Sequence, residues 1–186
     1  MAKKDLRLAL FDRDNTLVAL PNERRYLFGD DPVEIFSDAP SVIAILRSRG
    51  IFVAVVSNQR GVSLPEYPLM TLESVARFNR RMNEELARCN SGGLIDGFYI
   101  CPHDLGDNCS CRKPRPGLII QAMEDFSVLP CNTIVIGDSP TDIQAAYAAD
   151  VESIMICRSK KSQLIAKENG WRWASNLSEA LDEFIL

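Results

Sequence analysis

Two carboxylates two residues apart, Asp12 and Asp14, follow an apolar run in Leu8-Ala9-Leu10-Phe11-Asp12-Arg13-Asp14-Asn15-Thr16. At the end of a buried strand, one carboxylate can attack phosphorus while a second protonates the leaving oxygen and later activates water. Taken singly, the run also suits a solvated turn with an Asp cap. Three further runs add to it. Ser57-Asn58-Gln59 closes a second apolar run with hydroxyl and amide donors suited to phosphate oxygens, and Thr16 offers one more hydroxyl. In Cys111-Arg112-Lys113-Pro114, Lys113 is a compact charge for a phosphoryl transition state, and Arg112 is a planar fork for a second anionic group. Gly137-Asp138-Ser139-Pro140-Thr141-Asp142 follows a fourth apolar run and brings Asp138, with Asp142 in support. Acids converging on one point repel unless a hard cation such as Mg²⁺ sits among them. Each run could be a turn or a helix start, but the four together describe a phosphoryl-transfer site.

Cys101-Pro102-His103 and Cys109-Ser110-Cys111 offer three thiolates and the only histidine of the chain across a short polar loop. That is the ligand set of a closed tetrahedral Zn²⁺ site, with no position open for chemistry. The expected role is structural: the metal pins the segment that presents Arg112 and Lys113. Cys89, Cys131 and Cys157 read as core or surface thiols.

The elements that must position these residues follow from hydrophobic period. Short apolar, β-prone runs recur at Leu6–Phe11, Ile51–Val56, Leu94–Ile100, Thr133–Ile136 and Ser153–Ile156. Between them lie helical patterns: one through Val42, Ile43, Ile45 and Leu46 that ends by Gly50, then Leu72–Cys89 after Thr71, Gly117–Phe126 and Thr141–Ala149. Strict alternation predicts an α/β fold with parallel strands, right-handed crossovers and helices on both faces. Ligands bind such sheets at the carboxyl ends of the strands, where all four runs fall. The tail from Ser162 to Leu186 reads as a helix, a short strand near Trp173 and a closing helix.

A chain of 186 residues, 46% hydrophobic and 25% charged, suits one domain over residues 1–186. A net charge of −4 without any Lys/Arg block argues against nucleic acid and anionic membranes as partners. A small phosphorylated metabolite is expected instead, bound by a monomer. Met1-Ala2-Lys3-Lys4 leads into an apolar stretch too short for an export signal or a membrane span, so the cytoplasm is the expected compartment and reduced cysteines the expected state.

The order Asp12-Arg13-Asp14-Asn15-Thr16, Ser57-Asn58, Lys113 and Gly137-Asp138 with Asp142 resembles the haloacid dehalogenase superfamily of phosphatases over roughly residues 6 to 150. The resemblance implies a Rossmann-like fold in which Asp12 becomes an aspartyl-phosphate and Asp14 is general acid and then base. It also implies Mg²⁺ held by Asp12, Asp138 and the Asp14 backbone carbonyl, and phosphate contacts from Ser57, Asn58 and Lys113. The Cys-Pro-His and Cys-x-Cys-Arg-Lys-Pro runs narrow it to the branch of heptose bisphosphate and histidinol-phosphate phosphatases. Arg115-Pro116-Gly117-Leu118 looks closer to the heptose group, so a sugar bisphosphate is the expected substrate and histidinol phosphate the alternative. A catalytically dead, zinc-stabilised binding module is the reading from another class, and the intact acids count against it. Two positions depart from the branch: Asn15 stands where Gly is usual, and Gly61-Val62-Ser63-Leu64-Pro65 lacks an Arg-Gly pair. Asn tolerates the left-handed backbone that Gly would serve. No stretch between the motifs is long enough for a cap domain, so the cover over the site should come from loops near Leu20–Ser37 and Arg60–Pro68 and from the zinc loop.

Overall fold

The computed structural model describes residues 5–21 and 24–185. The expectation drawn from Met1–Lys4, and Asn22 and Glu23 of the predicted covering loop, lie outside the described residues. The strands are β1 (Leu8–Phe11), β2 (Phe52–Asn58), β3 (Gly97–Cys101), β4 (Thr133–Gly137), β5 (Glu152–Ile156) and β6 (Trp173–Ala174). They form one parallel sheet in the order β3-β2-β1-β4-β5-β6. The helices are α1 (Ala39–Ser48), α2 (Leu72–Cys89), α3 (Gly117–Phe126), α4 (Pro140–Ala148), α5 (Lys160–Glu168) and α6 (Leu177–Ala180).

Side-chain alternation along the strands gives each face of the sheet its own core. Ala9 and Phe11 of β1 pack with Val42, Ile43 and Leu46 of α1 and Phe78, Met82 and Leu86 of α2. Leu8 and Leu10 face the other way, against Leu118, Ile119 and Ala122 of α3 and Ala145 and Ala146 of α4. The sheet therefore carries helices on both faces, as the alternation of patterns predicts. α2 begins where expected: Thr71 Oγ1 accepts from the Ser74 amide and Ser74 Oγ accepts from the Thr71 amide, which satisfies amides that a helix start otherwise leaves orphaned.

Several boundaries shift by one to three residues from the sequence reading, and two of the shifts have identifiable reasons. β3 starts at Gly97 rather than Leu94, because Asn83 of α2 claims the backbone of Ile95: its Oδ1 accepts from the Ile95 amide at 2.7 Å and its Nδ2 donates to the Ile95 carbonyl at 3.2 Å. β2 runs on to Asn58, so Ser57 and Asn58 stand in ladder with Ile100 and Cys101 instead of in a turn.

The covering segments pack on one another. Tyr26 meets Tyr67 edge-on with ring centroids 5.0 Å apart, in a small core with Leu64, Met70 and Val75 of α2. Among the described residues, the stretch from Ala19 to Asp38 contains no helix or multi-residue strand, and a single bridge joins Ile35 to Val18. Among the described residues, no inserted cap stands over the sheet edge.

Candidate active site

Strand order brings the predicted residues together. The connection from β1 runs through α1 to β2 on one side, and the connection from β3 crosses back through α3 to β4 on the other. The crevice at that reversal lies beside the carboxyl end of β1. Asp12 follows β1 and Asp138 follows β4; the two strands are paired, with Phe11 opposite Ile136. The carboxylates of Asp12, Asp138 and Asp142 lie within 4.8 Å of one another.

Lys113 Nζ sits among these acids. It donates to Asp12 Oδ1 at 2.8 Å and to the Val56 carbonyl at 2.7 Å, and it stands 2.5 Å from Asp142 Oδ1. Burial disfavours the ammonium, but the Asp12 and Asp142 carboxylates more than offset it and hold its pKa above that of an ordinary lysine. Burial also pushes Asp12 up to about 6, aided by the charges of Asp142 and Asp14 and opposed by Lys113. Asp138 is pushed up to about 8 by burial and by its neighbours Asp12 and Asp142. One ammonium does not neutralise three clustered carboxylates, and oxygen ligands left short of positive charge are what a hard divalent cation takes. The residues present therefore fit Mg²⁺.

Asp142 is committed elsewhere. Its Oδ2 accepts from the Ser139 amide at 3.0 Å and the Ser139 hydroxyl at 2.7 Å, capping α4, while its Oδ1 faces Lys113. Gly137 is what lets it approach, since a Cβ there would lie 2.4 Å from Asp142 Cγ.

Asp14 stands outside the carboxylate cluster. Arg13 Nε donates to its Oδ1 at 3.0 Å, Arg13 Nη2 to its Oδ2 at 3.1 Å, and Gln59 Nε2 to the same Oδ2 at 2.9 Å. The side chain is therefore spent on Arg13 and Gln59 and is not one of the three converging carboxylates, though its charge still reaches Asp12. Asn15 has φ 59°, the left-handed conformation expected of it, and its Oδ1 accepts from the Leu20 amide at 3.1 Å.

The polar groups at the end of β2 and just past it bond to the protein. The Asn58 side-chain amide is engaged with the lysine backbone: Oδ1 accepts from the Lys113 amide and Nδ2 donates to the Lys113 carbonyl, each at 3.0 Å. It fixes the backbone that carries the lysine. Gln59 is fully buried, with Nε2 shared between Asp14 and Ser57 Oγ, so its amide serves the acid, not an anion. Thr16 Oγ1 and Arg112 Nη1 are buried without a hydrogen-bond partner, and Ser57 Oγ accepts only from Gln59 among the described contacts.

Cys101 ends β3, and the other three predicted ligands come back to it. Cys101 Sγ lies 3.6 Å from His103 Nδ1 and 3.7 Å from Cys109 Sγ, and His103 Nδ1 lies 3.2 Å from Cys111 Sγ. In a tetrahedral zinc site the sulfur–sulfur and sulfur–nitrogen edges are about 3.8 and 3.6 Å, from the usual bond lengths. The four residues form a cluster that could hold a metal ion, and none is in a disulfide. Burial pushes the Cys101 thiol up to about 12, so only a bound cation would draw a thiolate from it near neutrality. The loop is tied to the site: the Gln59 amide donates to the Cys101 carbonyl at 2.7 Å, and Arg60 pairs with Asp104. Of the other cysteines, Cys89 and Cys131 are exposed and Cys157 is buried.

Two engaged cations were not assigned roles from sequence. Arg13 is fully buried. The only signal for it is its place between two acids that share a side, which turns it inward. Arg158, after β5, donates to the carbonyls of Asn15 and Thr16 at 3.3 and 3.2 Å and stacks on Phe36 at 3.5 Å. Nothing local in its sequence marks it.

Comparison with known proteins agrees with this architecture. The family described as haloacid dehalogenase-like hydrolase matches residues 3–150. A D-glycero-beta-D-manno-heptose-1,7-bisphosphate 7-phosphatase of Pseudomonas aeruginosa is 32% identical over 160 residues, 86% of this chain and 86% of that protein. A D-glycero-alpha-D-manno-heptose-1,7-bisphosphate 7-phosphatase of Mycobacterium bovis is 39% identical over 103 residues, 55% of this chain and 52% of that protein. The crystal structure of a D,D-heptose 1,7-bisphosphate phosphatase from B. bronchiseptica, complexed with magnesium and phosphate, superposes with a TM-score of 0.82 at 23% identity, covering 97% and 98% of the two chains. The chain belongs to the haloacid dehalogenase-like hydrolase family. Within that family it is a phosphatase.

Proposed function

We propose that this phosphatase hydrolyses a sugar bisphosphate of the heptose class through a phosphorylated Asp12. The observation that carries the mechanism is the Asp12 carboxylate, held by Lys113 and flanked by Asp138 at the crevice of the sheet. The oxygen of Asp12 not bonded to Lys113 attacks phosphorus; the new P–O bond forms as the bond to the sugar oxygen breaks, and Asp14 gives that oxygen its proton. Asp14, now a carboxylate, takes a proton from water as the water attacks the phosphorylated Asp12, which regenerates the free acid and releases inorganic phosphate. Lys113 keeps a positive charge beside the transferred group, which suits the spread negative charge of a loose transition state. Mg²⁺, held by Asp12, Asp138 and the Asp14 backbone carbonyl, would supply further neutralisation of the phosphoryl oxygens. Ser57 and Thr16 are assigned to those oxygens as well, the latter through its unpartnered hydroxyl.

The Cys101, His103, Cys109 and Cys111 cluster is assigned a structural zinc that sets the path of the chain into Lys113. The substrate assignment draws on the relatives' names and on Arg112, a guanidinium suited to a second anion whose buried Nη1 has no hydrogen-bond partner. Six cysteines free of disulfides suit the cytoplasm.

The test is phosphate release over a panel: both anomers of heptose 1,7-bisphosphate, hexose mono- and bisphosphates, and histidinol phosphate. The highest kcat/KM is expected for a heptose bisphosphate. Preference for histidinol phosphate would overturn the substrate, and Mg²⁺-independent turnover would overturn the mechanism.

A further inference from the structure

Arg13 is among the largest fully buried side chains of the protein, and each nitrogen of its guanidinium is engaged. Nε and Nη2 fork onto Asp14, Nη2 also donates to the Leu27 carbonyl at 2.8 Å, and Nη1 donates to Asn79 Oδ1 at 2.9 Å. Its Cζ lies 4.8 Å from the centroid of the Phe78 ring. A buried guanidinium is costly unless fully paired, so this network holds one arrangement. Its anchors are rigid: Phe78 and Asn79 belong to α2, and Leu27 is fully buried in the covering segment. Asp14, by contrast, keeps 16% of its side chain exposed.

We propose that Arg13 is a positioning residue that sets the direction of the Asp14 carboxylate and ties it to the seating of the covering segment on α2. The proposal rests on the acid–base role assigned to Asp14 above. A proton donor acts only within hydrogen-bond reach of the leaving oxygen, and small displacements of a reacting group are expensive in rate. The fork and Gln59 hold Asp14 from behind and leave its exposed edge to the substrate. The bond from Nη2 to the Leu27 carbonyl means that this edge is aligned only while the covering segment sits in place. Lysine cannot replace the fork, because one ammonium does not reach two carboxylate oxygens, an amide oxygen and a carbonyl at once.

The experiment uses the dependence of kcat/KM on the leaving group. An alkyl or sugar oxygen needs the proton from Asp14 and a nitrophenolate does not, so a misdirected acid penalises the first and spares the second. Arg13→Met, which retains length and packing, is expected to lower kcat/KM on an alkyl phosphate about 10- to 100-fold and on p-nitrophenyl phosphate less than about 3-fold. Arg13→Lys should fall between Arg13→Met and the parent. In an Asp14→Asn background, adding Arg13→Met should change kcat/KM on either substrate less than about 2-fold, because the side chain it acts through is already disabled. Equal losses on both substrates, or effects that multiply with Asp14→Asn, would overturn the proposal. If Arg13→Met lacks a cooperative melt, Asn79→Ala removes one anchor at a distance from the reacting atoms and should give the same selectivity at about 3-fold. An Asp14→Asn variant that shows no leaving-group selectivity overturns the reading of Asp14 itself; selectivity in Asp14→Asn without any in the Arg13 and Asn79 variants overturns only the role of Arg13.

Discussion

Lys113 Nζ lies 2.8 Å from Asp12 Oδ1, though 101 positions separate the two residues in the chain. The bond closes the site across the sheet: the acid comes from β1 and the cation from the loop after β3, which Asn58 of β2 grips by its backbone. Removing the ammonium leaves a buried Asp142 and Asp12 facing each other. Lys113→Met is therefore expected to lower kcat at least about 100-fold on every substrate, and to lower the melting temperature measurably, because an uncompensated buried charge costs about 3–5 kcal/mol. Steady-state kinetics and thermal melts check both; an unchanged kcat would remove Lys113 from the mechanism.

Asp12→Asn should abolish turnover and keep the fold. The amide is nearly isosteric with the carboxylate but is no anionic nucleophile. Circular dichroism should match the parent protein, and phosphate release near the parent rate would refute the covalent route.

The raised pKa values of Asp12 and Asp138 set the pH dependence of metal-free stability. Both hold protons more tightly when folded than when unfolded. Their contribution is therefore full below the ordinary carboxylate range, about pH 4, and is lost as pH rises through about 6 and about 8. Mg²⁺ competes with those protons and relieves the same repulsion. Its addition to protein in chelator-treated buffer should raise the melting temperature more at pH 8 than at pH 5.5. Equal gains at the two pH values would argue against these acids as the ligands.

Elemental analysis should find about one zinc per chain, the capacity of one four-ligand site. Stripping it should lower the melting temperature and expose Cys109 and Cys111 to alkylation while the sheet persists. Metal-free protein with freely alkylated cysteines, isolated without chelator, would rule the site out.

Arg112→Ala is expected to raise KM rather than lower kcat, and to do so more for bisphosphates than for monophosphates, because a lost contact to a non-reacting anion weakens ground state and transition state alike. A uniform fall in kcat for every substrate would detach Arg112 from a second phosphate.

Several of these features are local and legible in the chain itself. Strand and helix periods depend on neighbours two to four positions away, which is why β1, β4, α2 and α3 stand near where the pattern puts them. The four thiolate and imidazole ligands lie within eleven positions, from Cys101 to Cys111, close enough for a short loop to gather them. Asn15 announced its left-handed backbone by being one of the few non-glycine residues that tolerate it. What residue type alone does not decide is which partner a polar group spends its bonds on. Asn58, Gln59 and Arg13 each carry donors fit for phosphate, but the pairing of β2 with β3 and the packing of α2 behind β1 turn those donors to Lys113, Asp14 and Leu27 instead. Those choices depend on the order in which strands lie side by side, a long-range outcome of burying both faces of the sheet. Only the tertiary structure determines it.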